Sequence, residues 1–164
     1  MTDPYLRFYF RFIAPNAELV EQELTKVLWE WISDQFRAFV GMTAFEDLCR
    51  EWVLIKARAG KLPMVPEVVG GHWSTDVQLD VVAINWHDKT ILLGECKWGV
   101  KAVGRAVIRG LINKTPKVVS GEEWHAYFAY FARAGFTDAA REEAQNVNGL
   151  LVDLETMDKD LRSS

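Results

Sequence analysis

The sequence is poor in the residues that would settle its class at a glance. It has two cysteines, Cys49 and Cys96, so no disulfide framework is expected. It has three histidines, His72, His87 and His125, and neither they nor the cysteines show zinc-ligand spacing. No apolar run reaches the roughly 18 residues of a membrane span. Met1 to Tyr9 is not a basic segment followed by an apolar one, so it does not read as a signal peptide. The expected compartment is the cytoplasm, with both thiols reduced. Positive charge is not in excess either: 19 Lys and Arg stand against 23 Asp and Glu, a net charge of −4. That argues against a protein whose main task is tight, passive nucleic-acid binding. An enzyme with a local basic surface remains open. No Ser-His or Cys-His arrangement for a small-molecule hydrolase can be placed.

What is present suits a folded domain. Apolar residues make up 49% and charged residues 26% of 164 positions. A chain of this length buries about 70% of its unfolded surface. Pro4 to Ile13 is an aromatic lead-in, extended or briefly helical. Val20, Leu24, Val27, Leu28, Trp31, Phe36 and Phe39 have helical spacing, which predicts a long amphipathic helix over 17–40, ended by Gly41. A second helix is expected from Thr43 to about Ala59, carrying Phe45, Leu48, Cys49, Trp52 and Val53. Strands follow at 65–73, 77–85 and 90–98, the last two joined by the turn 86–89. A helix over 100–113, stopped by Pro116, leads to a strand at 125–132 that is apolar on both faces and therefore buried on both. Thr137 caps a short helix to Gln145, and a strand at 150–154 comes last. The class is α/β, a sheet with helices on both sides. The expected organisation is an N-terminal helical segment, 1–40, ahead of an α/β core, 41–164.

The hairpin 78–98 carries the chemistry. Folded symmetrically about His87 and Asp88, it sets Asn85 against Thr90, Ala83 against Leu92, and Asp80 against Glu95. Lys97 shares a face with Glu95, because side chains two apart in a strand point the same way. Two opposed carboxylates flanked by apolar residues repel one another, and a divalent cation removes the repulsion. Carboxylate donors without His or Cys suit Mg²⁺ or Mn²⁺. A lysine beside such an ion can orient or deprotonate water, or hold developing negative charge. The set suggests metal-assisted phosphodiester hydrolysis. The bland alternative is a salt bridge at a solvated strand end. Glu46, at the edge of the second helix's apolar stripe, either joins the site or closes a capping box with Thr43. Lys101, Arg105 and Arg109 recur every four residues on the next helix, as phosphate contacts or as a solvated face. Trp29 and Trp31 lie on different sides of the first long helix, so one is expected at the surface as a partner-binding aromatic. Trp86 and Trp98 could stack bases, although core packing is the default. Cys96 points away from the acids and reads as core rather than nucleophile.

Helix with Glu46, then Asp80, then Glu95-Cys96-Lys97, then helix and strand resembles the PD-(D/E)XK, or restriction-endonuclease-like, superfamily. The resemblance implies an αβββαβ core with a mixed sheet, with Asp80, Glu95 and Glu46 as metal-binding acids and Lys97 as catalytic lysine. The superfamily's motif proline is replaced by Leu79. More narrowly, Asp3-Pro4-Tyr5-Leu6-Arg7-Phe8, Phe45-Glu46, Gly71-His72-Trp73, Leu79 to Ala83 and Gly94-Glu95-Cys96-Lys97-Trp98 are similar to a domain of unknown function. That domain typically forms the C-terminal part of archaeal and bacterial ATPases. The implied function is a metal-dependent nuclease acting on nucleic acid, DNA first. The alternative is a catalytically silent module that docks to or regulates a partner ATPase. No P-loop G-x-x-x-x-G-K-[ST] occurs, so ATP binding by that route is not expected, and the chain reads as a separated domain or truncated gene product.

Overall fold

The structure is a computed structural model, and it describes residues 3–119 and 123–162, the side chains of Met42 and Thr43 aside. The chain divides into two compact units, 1–45 and 46–164.

The first unit is helical. Helix α1 spans Pro4–Phe8, and Asp3 caps it by accepting from the amides of Tyr5 and Leu6. Wider and tighter helical turns carry the chain through Tyr9–Ile13 and Ala14–Asn16. The expected helix over 17–40 is two helices, α2 Ala17–Glu21 and α3 Thr25–Phe39. Glu23 breaks it by taking a left-handed backbone, φ 58°, and the Leu24 amide turns back to the Leu19 carbonyl at 2.8 Å. Gly41 does not end α3, because helical backbone continues through Val40–Ala44. The apolar stripe, with Phe12, buries Leu28, Ile32 and Phe39 in one cluster. Phe12 meets Phe39 edge-on at 5.4 Å, an arrangement that aromatic quadrupoles favour. Trp29 and Trp31 are both exposed, at 51% and 62%, where one had been expected.

The second unit holds the sheet. Helix α4 is Phe45–Arg58, its first residue lying at the unit boundary. Strands β1 Val68–Trp73, β2 Gln78–Asn85 and β3 Thr90–Lys97 follow. Then come α5 Arg105–Val118, β4 His125–Ala132, α6 Asp138–Gln145, β5 Leu150–Asp153 and α7 Leu154–Arg162. The strand order is β1-β2-β3-β4-β5. The β1-β2 and β2-β3 pairs are antiparallel and the β3-β4 and β4-β5 pairs parallel, so the sheet is mixed. Each parallel pair is joined through a helix, as a parallel connection requires.

Helices cover both faces. The Tyr130 hydroxyl donates to the Ile108 carbonyl of α5, while the adjacent Phe131 meets Trp52 of α4 edge-on at 5.6 Å. Neighbouring strand residues point to opposite faces, so α5 and α4 lie on opposite sides of the sheet. Phe128 to Ala132 are all buried, as their unbroken apolar run requires. Thr137 caps α6 by accepting from the Ala140 amide.

Helix α5 departs from the sequence reading. Before it, Val103 forms a bridge with Phe136, donates to the Gly135 carbonyl and accepts from Thr137, so residues 100–104 are not helical. The helix starts at Arg105, after Gly104, and runs on through Pro116 to Val118. The Val119 amide closes its last turn on Thr115. Helix α7 was not expected from the sequence. Its Asp160 receives Trp52 Nε1 at 2.9 Å and Lys56 Nζ at 2.6 Å, which fixes it to α4.

Candidate active site at the open end of a hairpin

The β2-β3 register is the expected one at the turn end, with Asn85 against Thr90 and Ala83 against Leu92. The ladder stops at Val81 and Gly94, although both strands continue. Beyond that point β2 stays with β1, where Trp73 pairs Gln78, and β3 stays with β4, where Lys97 pairs Ala132. The two strands therefore splay into a fork, and the direct Asp80-Glu95 pairing expected from the sequence is not formed. The cause lies in β2. Gly70 pairs Val82 and His72 pairs Leu79, so β2 spends three residue steps against two of β1. The extra residue is a β-bulge at Asp80-Val81, a device that re-aims a side chain. A Cβ on Gly71, opposite the bulge, would lie 2.9 Å from Arg50 Nη2 and 3.3 Å from the Asp80 carbonyl. A side chain there would have to move the Arg50 guanidinium and shift the Asp80 carbonyl by a few tenths of an ångström.

Side chains fill the fork where backbone rungs end. Asp80 Oδ2 accepts the Cys96 amide at 2.7 Å, taking the place of a strand carbonyl. Glu95 accepts Lys97 Nζ at 2.6 Å on one oxygen and Lys114 Nζ at 2.8 Å on the other. Lys114, in the last turns of α5, also donates to the Gln78 carbonyl at 3.1 Å. Arg50 of α4 holds the back of the site. Its Nε donates to the Asp80 carbonyl at 2.9 Å, and its two terminal nitrogens pair with Glu46 and Asp47.

The two acids differ electrostatically. Burial raises the Asp80 pKa, and the nearby Glu95 charge adds to this, against the opposing Cys96 amide and the lysines. Burial also works against the Glu95 charge, but the hydrogen bonds from Lys114 and Lys97 outweigh it and lower its pKa. Lys97 is half-buried, which disfavours its charge, yet Glu95 more than compensates and keeps it a cation.

The remaining expected residues sort clearly. Glu46 meets the fork through Arg50, and the capping-box alternative involves Thr43, whose side chain lies outside the described residues. Among the described residues no group of three His, Cys, Asp or Glu is gathered tightly enough to hold a metal ion. The donors present, carboxylates without thiolate or imidazole, fit a hard divalent cation by their chemistry. Such an ion would have to displace lysine ammonium groups from Glu95. Lys101 lies outside α5 in an exposed loop. Arg105 and Arg109 pair with Glu142 and Glu143 of α6 and so link two helices at a partly exposed face. Trp86 is exposed at the hairpin turn, away from the fork, and Trp98 carries the Arg133 guanidinium 4.9 Å from its ring centre. The half-buried Cys96 thiol is hydrogen-bonded with the buried Cys49, and that bond and desolvation both push its pKa up, away from the thiolate a nucleophile needs.

An α/β protein with an acid-lysine fork at one end of a mixed sheet is the class these observations define. Residues 9–107 match the family described as archaeal and bacterial proteins of unknown function, and the chain belongs to that family. It is also 28% identical, over 155 residues, to an uncharacterized protein of Methanocaldococcus jannaschii. That match covers 93% of this chain and 33% of the relative, so the chain spans about a third of the relative's length. No solved structure matches the chain.

Proposed function

We propose that the second unit is a metal-dependent nuclease domain of the PD-(D/E)XK kind, hydrolysing phosphodiester bonds in nucleic acid, DNA first. The observation that carries this reading is the fork, where Asp80, Glu95 and Lys97 meet at the one place the β2-β3 ladder is abandoned. The element order α4-β1-β2-β3-α5-β4 has the αβββαβ form that the sequence resemblance implies. A structural role accounts poorly for two half-buried acids and two lysines where backbone pairing would serve.

In this reading Asp80 and Glu95 hold Mg²⁺ or Mn²⁺, with Glu46 assisting from behind Arg50. The bound ion supplies a water of lowered pKa and charge stabilisation at phosphorus. Lys97 keeps ammonium donors beyond the one given to Glu95, and these orient the attacking water and a phosphate oxygen. The water oxygen would bond to phosphorus as the bond to the departing sugar oxygen breaks, one water proton passing to solvent and the sugar oxygen taking a proton from solvent to leave as a hydroxyl. A cytoplasmic setting belongs to the same reading, as both cysteines are free thiols. Among the described residues no helix is long and apolar enough to cross a membrane.

A second reading, a silent module for a partner ATPase, draws support from the first unit. Tyr5, Phe10, Trp29 and Trp31 are all more than half exposed there. Incubation of wild type and Asp80→Ala with plasmid, single-stranded DNA, branched DNA and RNA, in Mg²⁺, Mn²⁺ or EDTA, separates the two. The nuclease reading expects metal-dependent cleavage that falls by at least ~10³ in Asp80→Ala, the scale on which catalytic groups act. Equal cleavage by both proteins, or none by wild type, rejects it.

A further inference from the structure

The two lysines on Glu95 are held differently. Lys97 lies two residues from Glu95 on the same strand. Lys114 arrives from α5 and holds both the Glu95 carboxylate and the Gln78 carbonyl, two residues before Asp80. It thus ties β2 to β3 just where their main-chain ladder has ended. Asp80 and Glu95 bring two negative charges, and Lys97 and Lys114 two positive ones, so the four groups sum to zero. A divalent cation added to them leaves plus two, which Glu46, Asp47 and Arg50 behind the fork, together minus one, offset only in part, so an anion completes the balance.

We infer, on the nuclease reading above, that Lys114 is a built-in counter-ion that makes cation binding depend on a phosphodiester. It occupies Glu95 when the fork holds no ion. On losing Glu95 it keeps the Gln78 carbonyl and stays beside Asp80, with donors free for a phosphate oxygen. Metal and nucleic-acid backbone therefore load together, and the acids are not committed to a metal alone. Lys114 acts through Glu95 and is a positioning residue.

Calorimetric titration of the full chain with Mn²⁺ tests this, alone and with a dinucleoside phosphate or its uncharged methylphosphonate analogue. Wild type is expected to bind Mn²⁺ weakly alone and about tenfold more tightly with the phosphodiester. The uncharged analogue should give no such gain. Lys114→Met, and Lys114→Gln, which retains a donor for the Gln78 carbonyl, should bind Mn²⁺ alone about tenfold more tightly and lose most of the phosphodiester gain. A merely structural lysine would lower Tm and leave Mn²⁺ affinity unchanged, and that result in folded Lys114→Gln overturns the inference while sparing the nuclease reading. Loss of folding in both variants overturns it as well. Absence of Mn²⁺ binding in wild type and variants removes the metal reading beneath it.

Discussion

The two ends of one hairpin solve the same problem in opposite ways. At the turn end the ladder runs to completion, and the buried polar side chain there, the neutral Asn85, has a partner for its amide nitrogen and for its amide oxygen. It donates to the Val65 carbonyl and to Asp88, and accepts the Asp88 amide at 2.8 Å. At the other end the ladder stops three residues short of the β2 start, and charged side chains take over. Asp80 replaces a backbone acceptor, and two lysines from different elements neutralise Glu95. The turn end is what stability alone produces. The open end carries charge that burial disfavours and that a completed ladder would render unnecessary.

Substitutions at the two ends should give opposite patterns. The largest expected effect is at the open end. Lys97→Ala should lower metal-dependent cleavage by ~10²-fold or more, while Tm moves little because the lysine is 43% exposed. At the turn end, Asn85→Ala should cost about 2 kcal/mol of stability through unpaired buried polar groups and leave cleavage per folded molecule unchanged. Denaturant titration with an activity assay reads both. An Asn85→Ala protein of normal stability would dissolve the contrast.

A smaller effect is expected behind the fork. Gly71→Ala should push Arg50 off the Asp80 carbonyl and loosen the bulge, with a several-fold loss of cleavage and a modest fall in Tm. Cleavage unaltered by Gly71→Ala would mean that Arg50 does not set Asp80.

The sequence shows the hairpin well because its signal is local. A symmetric turn between two β-branched runs fixes the register, and the observed pairs Asn85-Thr90 and Ala83-Leu92 follow it. Asp80, Glu95 and Lys97 could be named for that reason. The fork was not legible. It depends on a bulge in the β1-β2 pairing and on Arg50 of α4 reaching the Asp80 carbonyl, and Gly70-Gly71 is the local sign the sequence carries. Lys114 was missed for a related cause. Pro116 reads as a helix stop, which put the helix end at Asn113, one residue before it. Tertiary pairing of Val103 with Phe136 instead moved α5 towards the C-terminus and placed Lys114 over the sheet. The pairing of Arg105 and Arg109 with Glu142 and Glu143 was not legible either, because those acids belong to a helix whose position no local pattern reveals.

On the proposed reading the two acids divide their work: Glu95, paired with two lysines, supports the fold, while Asp80 is kept for a bound cation. Burial raises the Asp80 pKa, so its stabilising contribution is present below the ordinary carboxylate range, near pH ~4, and is lost as pH rises through the folded value. At neutral pH the charged Asp80 then weighs against the folded state. Thermal melts of wild type and Asp80→Asn, in EDTA and in Mn²⁺, from pH 4 to pH 8, test this most directly. In EDTA, Asp80→Asn is expected to melt higher than wild type at pH 7 to 8, with the gap closing towards pH 4, and Mn²⁺ is expected to raise the Tm of wild type only. An Asp80→Asn protein that melts lower at neutral pH, with Mn²⁺ leaving wild type unmoved, would make the fork an ordinary salt-bridge network with no cation to hold.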